Sequence, residues 1–171
     1  MAQEVTEKTF WDFCDNYLEI VKGRAYDTTD KSAVSALMLT LDTFTKLFAP
    51  FCPFITEEVH QSRSWGQSGS LHKEKWPNAS DFEGIKDNTT ELYDNLVYIS
   101  GEIRKHKTSA NESMRTPISD LELSAPDNIL DTLKQVQTDI INVGSINQGA
   151  IKYTSGTSLS VNKIVLEAQE K

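Results

Sequence analysis

The 171-residue chain has only two cysteines, Cys14 and Cys52, and both fall inside apolar patterns, which points to buried free thiols in a reducing setting. No apolar run approaches the roughly 20 residues needed to span a bilayer. The N-terminus lacks a charged-then-apolar signal sequence. A cytoplasmic protein without a membrane partner is therefore the default expectation. No Cys or His pair has metal-ligand spacing, and no Gly-rich phosphate loop precedes a helix. His60, His72 and His106 stand apart from any Ser or Cys in a recognisable motif. These absences argue against a metal, nucleotide or nucleophilic centre, although triads assemble from distant residues. Positive charge is also short: 17 Lys and Arg face 25 Asp and Glu, a formal net charge of -8. That argues against a nonspecific nucleic-acid coat, because counterion release needs clustered Lys and Arg. It leaves room for a local basic patch on an acidic body.

Hydrophobic residues make up 38%, enough for a folded soluble domain, or one with a small appendage. The organising stretch is Leu47 to His60, LFAPFCPFITEEVH. Proline lacks a backbone donor and disfavours helix in the residue before it, so two prolines three apart break a continuous helix. Phe48, Phe51, Phe54 and Ile55 nevertheless call for burial. The expectation is a buried corner, with one helix ending at Ala49 and another starting near Pro53 at its first position. Glu57 and Glu58 then suit an early turn facing the positive helix end.

Residues 3 to 22 predict a helix with Phe10, Cys14, Tyr17 and Val21 at helical spacing, stopped by Gly23. Asp30 is a candidate N-cap for a helix from Lys31 to Ala49. Its Ala33, Leu37, Leu41, Phe44 and Phe48 stripe is widened by Val34, Met38 and Leu39, which suits the middle of a bundle. Gln61 to Ser70 reads as a loop anchored by Trp65. Ser70 to His72 and Lys75 to Pro77 form a short extended piece. Asn88 and Glu91 have capping-box spacing before a stripe of Leu92, Leu96, Ile99 and Ile103, in a helix ending near Lys107. From Pro117 the pattern predicts a strand at Ile118–Leu123. A helix follows, opened by Pro126, with Ile129, Leu133, Val136 and Ile140 inward. Strands at Ala150–Tyr153 and Leu159–Leu166 come last, joined by Thr154 to Thr157.

Gly101 to Arg115, GEIRKHKTSANESMR, holds Arg104, Lys105, Lys107 and Arg115 against two glutamates. Basic residues at a helix C-terminus can simply complement the macrodipole. They can equally meet phosphates or bases: Arg offers bidentate recognition and stacking, Lys a mobile point charge. Lys22, Arg24 and Tyr26 form a second small group. Unstacked bases are read by such flat side chains with loop donors, while surface packing is the plainer role for Tyr26.

Four elements then carry a resemblance. Phe13 to Lys22, FCDNYLEIVK, resembles the FCDWYLE-type element of valyl-tRNA synthetases, with Asn16 where that family commonly has Trp. Leu47 to Glu58 resembles their HPFMPFITEE-type element, which isoleucyl and leucyl relatives share. Ser70 to His72 with Lys75 to Pro77 is similar to their SIH…WP segment. Gly101 to Lys107 resembles their EIRKYK segment in an archaeal-type form, while Glu112 to Met114 depart from the family pattern.

The resemblance implies a mainly α fold: a class I synthetase anticodon-binding bundle at 1–116, then a small α/β subdomain at 117–171. The function implied is tRNA anticodon-arm binding for a valine–tRNA ligase. Arg104, Lys105, Lys107 and Arg115 would be the contacts, with Lys22, Arg24 and Tyr26 as a second edge. The family's His-Ile-Gly-His and Lys-Met-Ser-Lys-Ser signatures do not occur here, so no catalytic residue is expected in this chain. ATP would belong to the parent enzyme, and no cofactor or metal to this chain. The chain would be a fragment of a monomeric ligase whose partners are a valine-accepting tRNA and the rest of that synthetase. The family's coiled-coil arm is also missing, through lineage or truncation. The same domain from an isoleucyl or leucyl enzyme, and a non-catalytic helical protein-interaction module, are the alternatives.

Overall fold

The computed structural model describes residues 2–27, 30–62, 69–84 and 89–167, so the expected anchor Trp65 and cap Asn88 lie outside the described residues. The fold is mainly α with one small three-stranded sheet. The chain divides into two compact units, Met1–Leu18 with Asp27–Lys86, and Glu19–Tyr26 with Asp87–Lys171. This division differs from the 116/117 boundary read from the sequence. The reason is α5 (Thr90–Ser109), whose buried stripe packs within the unit that carries the sheet.

The first unit begins with α1 (Ala2–Asp12) and a π-helical turn, Phe13–Tyr17, in which the Leu18 N–H donates to the Phe13 carbonyl. Asn16 donates its amide to Asp12 Oδ1 at 2.9 Å. Helix α3 (Lys31–Phe48) starts as expected: Asp30 accepts the Ala33 N–H at 3.1 Å. Phe10, Phe44 and Phe48 meet edge to face or tilted, at centroid distances of 5.4 to 6.3 Å. After α3 the Phe51 and Cys52 N–H groups both donate to the Phe48 carbonyl at 2.9 Å, and α4 (Pro53–Ser62) opens on proline.

The corner forms where expected, but it is not buried. Phe54 is 90% exposed, Ile55 65% and Phe51 50%. Helix α4 turns Thr56 and His60 inward instead, and the Thr56 hydroxyl donates to the Cys52 carbonyl at 2.8 Å. Successive helix residues are turned by about 100°, so with Thr56 inward Ile55 stands to the side and Phe54 on the far face. Met38, Leu39 and Leu41 of α3 are exposed too, so α3 does not sit at the centre of a bundle in this structure. Phe10, Leu41, Phe44, Phe48, Ile55 and Val59 line an open apolar groove of about 330 Å³. Cys52, expected inside, is exposed on its rim, whereas Cys14 is half-buried.

Glu57 does not serve the α4 N-terminus. It accepts from Gln61 at 2.7 Å, Leu71 N–H at 2.9 Å and the Ser70 hydroxyl at 3.0 Å, tying the following segment to α4. The Gln61 hydrogen bond, then those from Ser70 and Leu71, hold its carboxyl below the ordinary range. Leu71–Lys73 forms a 3-10 turn where an extended piece was expected, and the turn buries Leu71.

The second unit contains α2 (Leu18–Tyr26) from Glu19 onward. The helix passes through Gly23 without stopping: a Cβ there would collide with the Asn142 carboxamide. Glycine at 23 serves close packing, not capping. Strand β1 (Ile118–Ala125) buries Ile118, Leu121, Leu123 and Ala125. Pro126 precedes α6 (Asp127–Gln135), and the expected single helix breaks at Val136 before α7 (Gln137–Gly144). Strands β2 (Ile151–Ser155) and β3 (Ser160–Leu166) follow one another in sequence but flank β1, parallel and antiparallel to it respectively. No helix among the described residues is long and apolar enough to cross a membrane.

The two thiols should differ in reactivity. Burial, with a contribution from Asp15, raises the Cys14 thiol above its ordinary value. Limited iodoacetamide treatment of the native chain, read by peptide mass spectrometry, should label Cys52 well before Cys14. Equal labelling would contradict the placement of Cys52 on an open surface.

Candidate nucleic-acid interface

The basic residues singled out in the sequence all lie in the second unit, and α5 carries Arg104, Lys105 and Lys107. Leu96, Ile99, Ser100 and Ile103 face inward at helical spacing, and Lys107 continues the same stripe. Lys107 is therefore inside, at 1% exposure. Its ammonium donates to the Met114 carbonyl and to the Gly144 carbonyl, both at 2.8 Å. Burial lowers its pKa from the ordinary lysine value. Lys107 was expected at the ligand surface; the structure makes it a tie between α5, the loop after it and the end of α7.

That loop is held at several points. The Glu112 N–H donates to the Lys107 carbonyl at 2.9 Å and the Asn111 N–H to Thr108 at 3.0 Å, with Asn111 at φ 55°. This is the Schellman arrangement, with asparagine taking the left-handed position usually given to glycine. Glu112 accepts from the hydroxyl of buried Thr116 at 3.0 Å. Met114 and Arg115 consequently point outward from a fixed loop.

The other predicted residues separate by helical face. Lys105 has a side chain 75% exposed and a loose 3.6 Å contact with Glu102. His106 is exposed beside it, while Arg104 is half-buried and takes part in an interaction of its own. On α2, Lys22 pairs with Glu19 at 2.5 Å and Arg24 with Asp139 at 3.0 Å. Tyr26 is 85% exposed, so its ring is open to stacking. Asp139 is buried, and Asn142 lies against Gly23. Helix α7 thus receives Arg24 of α2 near its start, at Asp139, and both Gly23 of α2 and Lys107 of α5 in its last turn, at Asn142 and Gly144. Asp139 to Gly144 spans only about 7.5 Å of helix. Sequence reasoning passed over Asp139, although a carboxylate directly before Ile140 in an apolar stripe was a usable signal. Among the described residues no group of His, Cys, Asp and Glu could hold a metal ion.

Among the described residues this arrangement offers exposed cations, an open aromatic ring and a fixed loop. The family described as anticodon-binding domain of tRNA ligase matches residues 1–122, and the chain belongs to that family. Among individual proteins, the valine–tRNA ligase of Cutibacterium acnes is 38% identical over 98% of this chain, and that of Leifsonia xyli 38% over 96%. The Thermobifida fusca valine–tRNA ligase is 42% identical over 68% of the chain. The chain covers 19% of the first two relatives and 13% of the third, so it spans about a fifth of their length or less. The relatives are bacterial, where the Gly101–Lys107 segment had suggested an archaeal-type form.

Lys107→Ala should destabilise the chain by about 2–4 kcal/mol in urea unfolding, because the buried Gly144 carbonyl and the part-buried Met114 carbonyl lose a charged donor. Lys107→Met, which keeps the apolar stem, should cost less. The pH dependence has a definite sign. With the folded pKa lowered, the unfolded chain binds that proton more tightly. The wild-type contribution therefore rises with pH between the folded value and the ordinary lysine value, and Lys107→Met removes that rise. Wild-type stability in Lys107→Ala would contradict the assignment.

Proposed function

We propose that this chain holds the anticodon arm of a valine-accepting tRNA for a valine–tRNA ligase, as a class I synthetase anticodon-binding domain. The observation that carries the reading is 38% identity to valine–tRNA ligases across almost the whole chain. The geometry supports it with Arg115 on a fixed loop, Lys105 at the open end of α5 and Tyr26 as a stacking surface. Arg24 acts mainly by tying α2 to Asp139 of α7, Lys22 is held by Glu19 within α2, and Arg104 is a further contact beside Lys105. Phosphate contacts position the RNA, and base contacts from loop donors and stacked rings discriminate it. Valine activation with ATP lies outside this chain, in a monomeric cytoplasmic parent enzyme.

The rest of that ligase is the second partner. The α3–α4 corner exposes Phe51, Phe54 and Ile55 beside an apolar groove, and four-fifths of the relatives' length lies outside this chain. An apolar surface of this kind marks a contact. The remainder of the synthetase covers it.

Filter binding at two salt concentrations tests the first statement. Lys105→Ala with Arg115→Ala should weaken binding of a valine-accepting tRNA transcript and reduce the slope of log K against log salt by about one to two. Unchanged affinity and slope would remove these residues from the interface. For the second, Phe54→Asp with Ile55→Asp should leave the circular dichroism of the 171-residue chain unchanged, since both side chains are already exposed. The same changes in the full-length ligase should lower its thermal midpoint. An unaltered midpoint would show that the ligase leaves this face open.

A further inference from the structure

The residues described so far leave one cavity of the second unit unused. It is a groove of about 430 Å³ between α5 and the edge strand β3. On the helix side Glu102, Lys105, His106 and Ser109 follow one another at positions i, i+3, i+4 and i+7, a single polar face. On the strand side stand Asn162 and Lys163, with Val161 and Ile164 supplying apolar wall.

The strand is locally reshaped here. Glu122 of β1 pairs with Lys163 and Leu123 with Val161, so Asn162 is the extra residue of a β-bulge. Bulges re-aim side chains and gather beside binding sites. Here the bulge places a carboxamide at the groove, its oxygen accepting from the Ser160 hydroxyl at 2.8 Å. An edge strand carrying lysine is also a common guard against strand pairing. That role covers Lys163 and the bulge itself, but not the polar face of α5 that stands opposite Asn162.

The chemistry is not that of a phosphate trap. Lys163 already pairs with Asp120 at 2.6 Å, and Asp120 also takes Lys152 at 2.8 Å. Lys105 has Glu102 at 3.6 Å. The groove instead combines apolar wall with donors and acceptors of both kinds, and its volume falls within the range of small-molecule pockets. A nucleobase needs that combination: a flat apolar face to rest on and an edge to be hydrogen-bonded. Lys105, exposed and loosely held, stands at the rim where the attached phosphate would emerge.

We propose that the α5–β3 groove receives one unstacked nucleotide of single-stranded RNA. Its base lies against Val161 and Ile164, Asn162 and Ser109 read its edge, and Lys105 meets its phosphate. The proposal rests on the tRNA-binding reading above and assigns it a second, base-reading subsite away from Tyr26 and Arg115.

The test is an amide NMR titration of the 171-residue chain with a single-stranded RNA heptamer of mixed sequence, alongside filter binding of the tRNA transcript. Shifts should gather at His106, Ser109, Asn162 and Lys163. Asn162→Ala with Lys105→Ala should weaken the heptamer by about tenfold, with the remaining amide spectrum preserved. Binding whose shifts fall at Tyr26 or Arg115, with the groove amides unmoved, would overturn the groove and leave the tRNA reading standing. Absence of binding by heptamer and transcript alike at low salt would overturn both.

Discussion

The second unit depends on the buried ammonium of Lys107. A charge cannot be left in an apolar interior without partners, so the two carbonyls it meets, Met114 and Gly144, are fixed by the cost of leaving it unsatisfied. One belongs to the loop after α5 and the other to the last turn of α7. The lysine therefore sets the path of the chain between α5 and β1 and joins that path to the helix that also carries Asp139 and Asn142. Arg115 is outward because Thr116 and Lys107 on either side are inward. The orientation of the exposed cations follows from the burial of another.

A different constraint governs the first unit. Aromatic rings from α1 and α3 form its best-packed part, while the corner between α3 and α4 is closed by backbone hydrogen bonds to the Phe48 carbonyl. That corner is locally complete, yet it leaves Phe54 and Ile55 in solvent. Its regularity therefore comes from proline and backbone chemistry, and its apolar side chains are available for another surface. The shape of the corner and the fate of its side chains are separate matters, which explains how a strong local signal led to a wrong expectation of burial.

Local chemistry was legible in the sequence. Asp30 as a cap, Pro53 at the first helical position and the strand from Ile118 needed only short-range rules. Lys107 was not legible as a buried group: by composition it belonged with Arg104 and Lys105, and only its place one turn beyond Ile103 put it on the inward stripe. Gly23 looked like a stop signal, but the reason for glycine is a side chain more than 100 residues away. Exposure of the corner was equally out of reach, because burial depends on which surfaces meet, and about four-fifths of the related enzymes' length lies outside this chain. For the candidate interface, composition located Lys105, Arg115 and Tyr26, while Asn162 emerged only once strand register revealed the bulge.

A body of net charge -8 that binds a polyanion must keep some cations clear of its own carboxylates. Within the second unit most of them are not clear. Lys22 is taken by Glu19, Arg24 by Asp139, Lys134 by Asp131, and both Lys152 and Lys163 by Asp120. Lys105 keeps only a loose carboxylate, and Arg115 forms no ion pair among the described residues. Nonspecific attraction to that unit is thus limited to a few charges. On the proposed reading, affinity would have to come from contacts that require a correctly shaped loop of RNA. The acidity of the chain, at first an argument against RNA, would then serve discrimination, because the few open cations of the second unit sit on rigid supports.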